Sequence, residues 1–414
     1  AEKHLRLALE TMGRLGPVSL PVPEFSDHPI PTASVPEVKG EVPAVLDVAI
    51  LLAALSLASY FTLVSRSRRN IVLLTIFSLL WFGFWREGCV CPVGATQNVA
   101  LAIFDPTYVI PLSALAFFIL PLVFTLFFGR TFCASVCPLG AMQELLAIRS
   151  VKVPRWLDHS LGLVAYIYLG AAVIFAATKT GFIICRYDPF IPFFRLGGNT
   201  DMLVFGSCIL AISVLVGRPY CRYLCPYGAI LRVLSCFSKW RLSIPPGSCI
   251  NCQLCEDVCP YGAIHPPTVA QTPDRRQRGK RQFVRSLLMA PVVTVAFWWL
   301  GTALAVPLSQ WHPESRLAEQ VRLEEIGAAQ STEASDAFRG SGQSVDDLYQ
   351  SAVQRRSDFV TLGGLLGAWT GLVIGIKLVH LSVRRRRDDY QADRAGCVSC
   401  GRCYWSVSYT HLRA

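Results

Sequence analysis

Charge is what this sequence has least of. Asp, Glu, Lys and Arg make up 16% of its 414 residues against 52% apolar ones, a balance that excludes an ordinary soluble domain. No Cys-x-x-Cys-His run for haem attachment occurs, and no cysteine pair is followed by the paired histidines of a zinc finger. Residues 1–43 lack the charged start, apolar middle and cleavage site of a signal peptide, and the chain opens on Ala1 rather than on methionine. Basic residues interleaved with aromatics on one polar face are missing too, so the net charge of +11 does not point to nucleic acid.

What is there comes in blocks. Apolar stretches of roughly 20 residues, about the length that crosses a hydrocarbon core of ~30 Å, recur near 44–64, 71–86, 109–128, 161–178, 201–217, 286–308 and 359–381. They predict an all-α membrane protein, a polytopic helical bundle of about seven spans. The second and fifth stretches are short, and a re-entrant segment at either would invert the parity of everything after it. Groups of basic residues follow odd-numbered spans or precede the sixth: Arg66, Arg68 and Arg69; Arg130, Arg149, Lys152 and Arg155; Arg218, Arg222 and Arg232; Arg278, Lys280, Arg281 and Arg285; and Arg384 to Arg387. All of these groups then fall on one side, which the positive-inside rule makes cytoplasmic. The N-terminus is expected on the periplasmic side of a bacterial inner membrane and the C-terminus in the cytoplasm. The stretch 309–358, with Glu314, Glu319, Glu324 and Glu325, reads as a polar loop on the outer face, where Arg355 and Arg356 go against the rule.

Most of the sixteen cysteines fall in metal-ligand spacings rather than scattered pairs. The run Cys249-Ile-Asn-Cys252-Gln-Leu-Cys255-Glu-Asp-Val-Cys259-Pro260 has the spacing of bacterial ferredoxins, where three thiolates hold one 4Fe-4S cluster and the fourth reaches the other. Cys397-Val-Ser-Cys400-Gly-Arg-Cys403 repeats it, but Val407 stands where the fourth cysteine is due. Cys259 then completes the set Cys397, Cys400 and Cys403, while Cys249, Cys252 and Cys255 are one ligand short. Two readings compete: a three-cysteine site, or a non-native tail over 407–414. The abrupt end of the pattern favours the second.

A second element, Cys-Pro-x-Gly-Ala, occurs at Cys91–Ala95, Cys137–Ala141, Cys225–Ala229 and Cys259–Ala263. Proline suits the first helical turn, so each cysteine is expected at a helix N-terminus, where the dipole favours a thiolate. Two copies carry a further thiol four residues earlier, giving Cys133 with Cys137 and Cys221 with Cys225 on the cytoplasmic surface. These four make a ligand set for one cluster or half sets for two, against the plainer reading as buried small side chains. Cys89, Cys91 and Cys185 are expected on the outer face, as iron ligands or a redox-active disulfide, against simple burial. Cys208 and Cys236 have no partner spacing and read as core. Asp158 and His159 lie at a membrane interface, which suits a quinone site but equally a solvated histidine.

On the paired Cys-x-x-x-Cys-Pro motifs at 133–138 and 221–226, joined to ferredoxin halves separated by two spans, the chain resembles the NosR/NirI family of membrane iron-sulfur flavoproteins. More loosely it resembles NapH-type quinol dehydrogenase subunits. The resemblance covers most of 44–406. It implies an FMN bound covalently in an outer domain that precedes the spans, a quinone or quinol or another redox protein as partner, and a periplasmic reductase served or matured. The expected organisation is an outer tail or linker (1–43), a membrane bundle with the cysteine motifs (44–217), a cytoplasmic segment with the first ferredoxin half (218–285), a span (286–308), an outer loop (309–358), a span (359–381) and the second half (382–406). The expected function is membrane electron transfer with two 4Fe-4S clusters in the full protein. The alternative is a redox-responsive regulator or maturation factor using the same clusters. A transporter is disfavoured, since charges inside the spans are almost absent.

Overall fold

Backbone polar groups that leave water must be satisfied within their own segment, and for a chain this apolar that means helices. The structure, a computed structural model, describes residues 41–88, 91–148, 151–244, 249, 252–268, 273–383 and 387–407. The expectations for the tail before residue 41, for Cys89, Arg149, Arg384, Arg385 and Arg386, and for residues 408–414 lie outside the described residues.

Helix α1 covers Glu41–Leu63. Helix α2, Arg68–Ser78, starts at Ser67, whose hydroxyl accepts the Asn70 N–H at 3.5 Å, and continues as π-helical turns through Leu79–Trp85. Then come α3 (Pro92–Phe104), α4 (Leu112–Phe128), a π-helical turn at Phe132–Val136, α5 (Pro138–Leu146) and α6 (Arg155–Ala177). Two short helices, α7 (Ile183–Arg186) and α8 (Ile191–Arg195), lead to α9 (Thr200–Ser213), α10 (Pro219–Tyr223) and α11 (Pro226–Ser235). The remainder is α12 (Leu254–Val258), β1 (Ile264–His265), α13 (Pro273–Ser309), α14 (Pro313–Glu325), α15 (Glu333–Gly340), α16 (Val345–Ser382), β2 (Gln391–Ala392) and α17 (Arg402–Val407). Among the described residues, four helices are long and apolar enough to cross a membrane: α1, α6, α13 and α16. The expected third and fifth spans are the shorter apolar helices α4 and α9, and the second is α2 with its π-helical extension.

Contacts fix the parity that the short spans left open. Arg68, Glu144, Arg218, Tyr261 and Arg402 meet in one hydrogen-bonded network, and Arg130 reaches the Ala395 carbonyl at 3.1 Å. Segments following the first, third, fifth and seventh spans therefore share one face. Arg86 pairs with Asp47, and Lys179 with Asp105 at 2.6 Å, joining residues from the opposite ends of the same helices. A two-residue antiparallel ladder, Ile264↔Ala392 and His265↔Gln391, ties the ferredoxin halves together across the hairpin of α13 and α16.

Three sequence expectations need correction. The 309–358 stretch is not a plain loop. It folds into α14, α15 and the start of α16 around Ala318, Val321, Phe338 and Leu348, and Arg355, which went against the charge rule, is bonded to Glu314 at 2.7 Å. The fourth Cys-Pro-x-Gly-Ala copy opens no helix: Cys259 closes α12, and Gly262, at φ +57°, turns the chain into β1. Cys208 and Cys236 are exposed rather than core.

The α13/α16 hairpin is close because glycines line it. A Cβ at Gly301 would collide with the Gly363 carbonyl, and one at Gly367 with that of Phe297. Small residues let helix backbones approach where no hydrophobic force between helices operates. Gly367→Leu is expected to cost about 1–3 kcal/mol by overpacking, read as a lower thermal unfolding midpoint in detergent. An unchanged midpoint would contradict the close packing.

Candidate iron-sulfur sites

The π-helical turn at Phe132–Val136 and the proline at position 138 decide where the first thiol pair lies. The wider turn carries Cys133, and Cys137 then caps α5 with Pro138 in its first turn. Cys225 caps α11 in the same way, its sulfur accepting the Gly228 N–H at 3.2 Å. Cys133, Cys137 and Cys225 are buried in the main apolar core beside Leu55, Phe132 and Tyr227, with Cys221 packed against it. Gln143 donates to the Cys221 sulfur at 3.4 Å. Gly140 lets the two motifs close on each other, since a Cβ there would lie 3.3 Å from the Cys133 carbonyl and 3.8 Å from the Cys221 sulfur.

The second site forms between the ferredoxin halves. A small cavity is lined by Cys259 on one side and by Cys397, Cys400 and Cys403 on the other. The Cys259 sulfur accepts the Ala263 N–H at 3.4 Å, and Asp393 N–H bonds the Ala263 carbonyl at 2.6 Å, so strand pairing holds the two chains in register at the cavity. Cys249 and Cys252 lie near Cys255 on α12. Helix α17 packs along α12 and ends at Val407, which brings the position of the missing fourth cysteine to that side. Among the described residues no three side chains converge tightly enough for a single metal ion. Thiolates of a four-iron cluster bind different irons and stand further apart.

Burial pushes the Cys397 thiol up to about 12. It raises Cys221 to about 11, with Arg218 opposing it. Such thiols are neutral at neutral pH, and loading iron onto them must release protons. N–H donors to sulfur, an apolar surround and cysteines in sets of four suit 4Fe-4S clusters.

A carboxylate missed in the sequence connects the two regions. Glu144, on α5 and buried, takes Arg68 Nη2 at 2.5 Å, Arg402 Nη2 at 2.9 Å, Arg218 Nε at 3.0 Å and the Tyr261 hydroxyl at 3.3 Å. Arg218 also donates to the carbonyls of Cys133 and Ala134, and Arg68 to that of Cys400 at 2.5 Å. The only signal in the sequence was one acid in an amphipathic stretch just after a Cys-Pro motif. Burial alone would raise the Glu144 pKa, but the guanidiniums of Arg218, Arg402 and Arg68 outweigh it and bring it down to about 2.

Cys91 and Cys185 come together, and not at a separate outer site as expected: Cys91 packs against the core that holds Cys133, Cys137 and Cys225, and its charge acts on Cys137 and Cys225. Cys91 caps α3, and a Cβ on Gly94 in that helix's first turn would meet the Cys185 sulfur at 3.2 Å. Buried Asp188 lies nearby, and Gln97 Oε1 accepts the Ile184 N–H at 2.9 Å. Asp158 is bonded to Arg222 at 2.7 Å and to the Tyr223 hydroxyl at 3.0 Å rather than left to solvent.

An apolar helical bundle that carries sets of thiols on one face defines a membrane iron-sulfur protein. Models for a 4Fe-4S binding domain match residues 110–155 and 199–245, and another 4Fe-4S binding domain matches 242–265. The chain is similar to YccM of Escherichia coli (strain K12), at 31% identity over 34% of this chain and 43% of YccM. It is also similar to the protein NirI of Paracoccus denitrificans, at 35% over 34% of this chain and 23% of NirI, and to the regulatory protein NosR of Stutzerimonas stutzeri, at 29% over 46% and 29%. The chain is a membrane protein with 4Fe-4S binding domains, similar over those domains to NirI and NosR. It spans less than half the length of these three relatives. No solved structure matches it.

Glu144→Gln leaves three guanidiniums facing a neutral amide. Breaking a buried ion pair from one side is expected to cost about 3–5 kcal/mol, measured by chemical denaturation. Because the folded pKa lies below the ordinary carboxylate value, the wild-type contribution is complete above about pH 4.5 and falls as pH drops towards 2. Glu144→Gln should lack that part of the acid dependence. Equal acid profiles would show that Glu144 does not carry it.

Proposed function

We propose that this protein carries electrons within the membrane, between the quinone pool or a donor on the ferredoxin face and a redox partner on the other. The observation that supports this best is the single cavity shared by Cys259 and the distant Cys397, Cys400 and Cys403, next to the buried thiols of the two Cys-x-x-x-Cys-Pro motifs. In this reading Cys259, Cys397, Cys400 and Cys403 hold one 4Fe-4S cluster. Cys249, Cys252 and Cys255 hold three corners of a second, and Cys133, Cys137, Cys221 and Cys225 form a further ligand set. When bound, the clusters supply one-electron redox chemistry at potentials set by their surroundings.

The protein's own contribution is to hold, orient and screen. Backbone N–H groups of Gly228 and Ala263 point at sulfur, which favours the thiolate. The apolar core excludes water from Cys133, Cys137 and Cys225. The cations around Glu144 offset negative charge, which raises a cluster's potential.

The same reading puts the ferredoxin face in the cytoplasm of a bacterial inner membrane and the N-terminal end in the periplasm, with a flavin or reductase as the outer partner. Support comes from the basic residues gathered on that face. A second reading, a regulator or maturation factor, draws on NosR, whose name describes it as regulatory.

Sealed membrane vesicles with the outer face exposed separate the two. The expected result is sustained reduction of impermeant ferricyanide, dependent on added quinol and on this protein. Intact clusters without sustained quinol-dependent turnover would overturn electron transfer and favour the regulator.

A further inference from the structure

We propose that the groove between α6, α11 and α16, on the ferredoxin face, binds the phosphate of an anionic phospholipid. The inference goes beyond the electron-transfer reading and needs only the membrane embedding.

The N-terminal end of α6 and the C-terminal end of α16 lie on this face: Arg222 holds Asp158, while Thr268 and Arg387 bond each other just beyond α16. The helices are thus antiparallel, and Trp369 on α16 donates to the Tyr166 carbonyl on α6 at 2.8 Å. From that contact Lys377 is eight residues on and His159 seven residues back, both about 10–12 Å towards the face at the helical rise. They stand level, and their charges act on each other. From α11, Arg232 crosses over Gly162, where a Cβ would lie 3.8 Å from its Nη1, and its charge acts on Lys377. His380 stands one turn further towards the surface. Trp156, largely exposed at the same end of α6, marks the interfacial level where tryptophan concentrates.

The groove is short of negative charge. Two carboxylates act on it: Asp158, already taken by Arg222 and the Tyr223 hydroxyl, and Asp393, whose Oδ2 accepts the Gly396 N–H at 2.7 Å. Arg232 spends one Nη on the Arg222 carbonyl at 3.1 Å, and its buried Nε has no partner. Among the described residues neither Arg232 nor Lys377 makes a salt bridge. A desolvated cation without an anion is costly, and partly exposed Lys377 lies within reach of its charge. A phosphate accepts from a guanidinium and an ammonium together, and basic pockets between spanning helices bind acidic headgroups.

The test is native mass spectrometry of the full chain released from micelles doped with phosphatidylglycerol or with phosphatidylcholine. The expected result is a retained phosphatidylglycerol adduct and no phosphatidylcholine adduct. Lys377→Gln and Arg232→Gln should each lower retention about fivefold, taking ~1 kcal/mol per basic residue, and Lys377→Arg should restore it. Should Arg232→Gln fail to fold, partly exposed Lys377 decides alone. Equal retention of both lipids, full retention by Lys377→Gln, or displacement by millimolar inorganic phosphate would overturn the proposal.

Discussion

A single buried carboxylate determines how the two cysteine regions face each other. Glu144 stands among Arg68, Arg218 and Arg402, and two of these guanidiniums use their remaining N–H groups to grip the backbone at Cys133, Ala134 and Cys400. Three cations around one anion would be a poor arrangement for an apolar interior taken alone. It makes sense beside thiolates, which add negative charge when iron is bound. The ion pairs do more to fix geometry than to add net stability, since burying charges consumes most of what their attraction returns.

The second constraint is topological. The ferredoxin halves are separated by a helical hairpin whose glycines bring α13 and α16 into backbone contact. A hairpin returns the chain to the face it left, so β1 can pair with β2 and Cys259 can share a cavity with Cys397, Cys400 and Cys403. The split would separate the halves if the number of crossings between them were odd. The acidic stretch on the far side builds its own small core around Phe338 and Leu348, which stiffens the turn between the long helices.

Much of this was legible in the residues. Apolar runs located the helices, cysteine spacing the ferredoxin halves, and arginines the shared face, because each rests on a local physical rule. What was not legible depends on contacts between distant segments. Glu144 carries no motif, and its importance lies wholly in who meets it. The Gly363, Gly367, Gly371 and Gly375 ladder is a close-packing signal in its own run, but the helix it packs against is set by tertiary contact. The Cys-Pro rule placed Cys91, Cys137 and Cys225 at helix starts and failed at Cys259, where Gly262 and strand pairing override the local preference of proline.

The central claim is that one cluster draws ligands from both halves. It is tested most directly by EPR of anaerobically purified protein in three variants. Cys259→Ser and Cys400→Ser are expected to abolish the same 4Fe-4S signal, and Cys252→Ser a different one. If Cys259→Ser instead removes the signal lost in Cys252→Ser and leaves that of Cys400→Ser intact, each half keeps its own cysteines and the account is wrong.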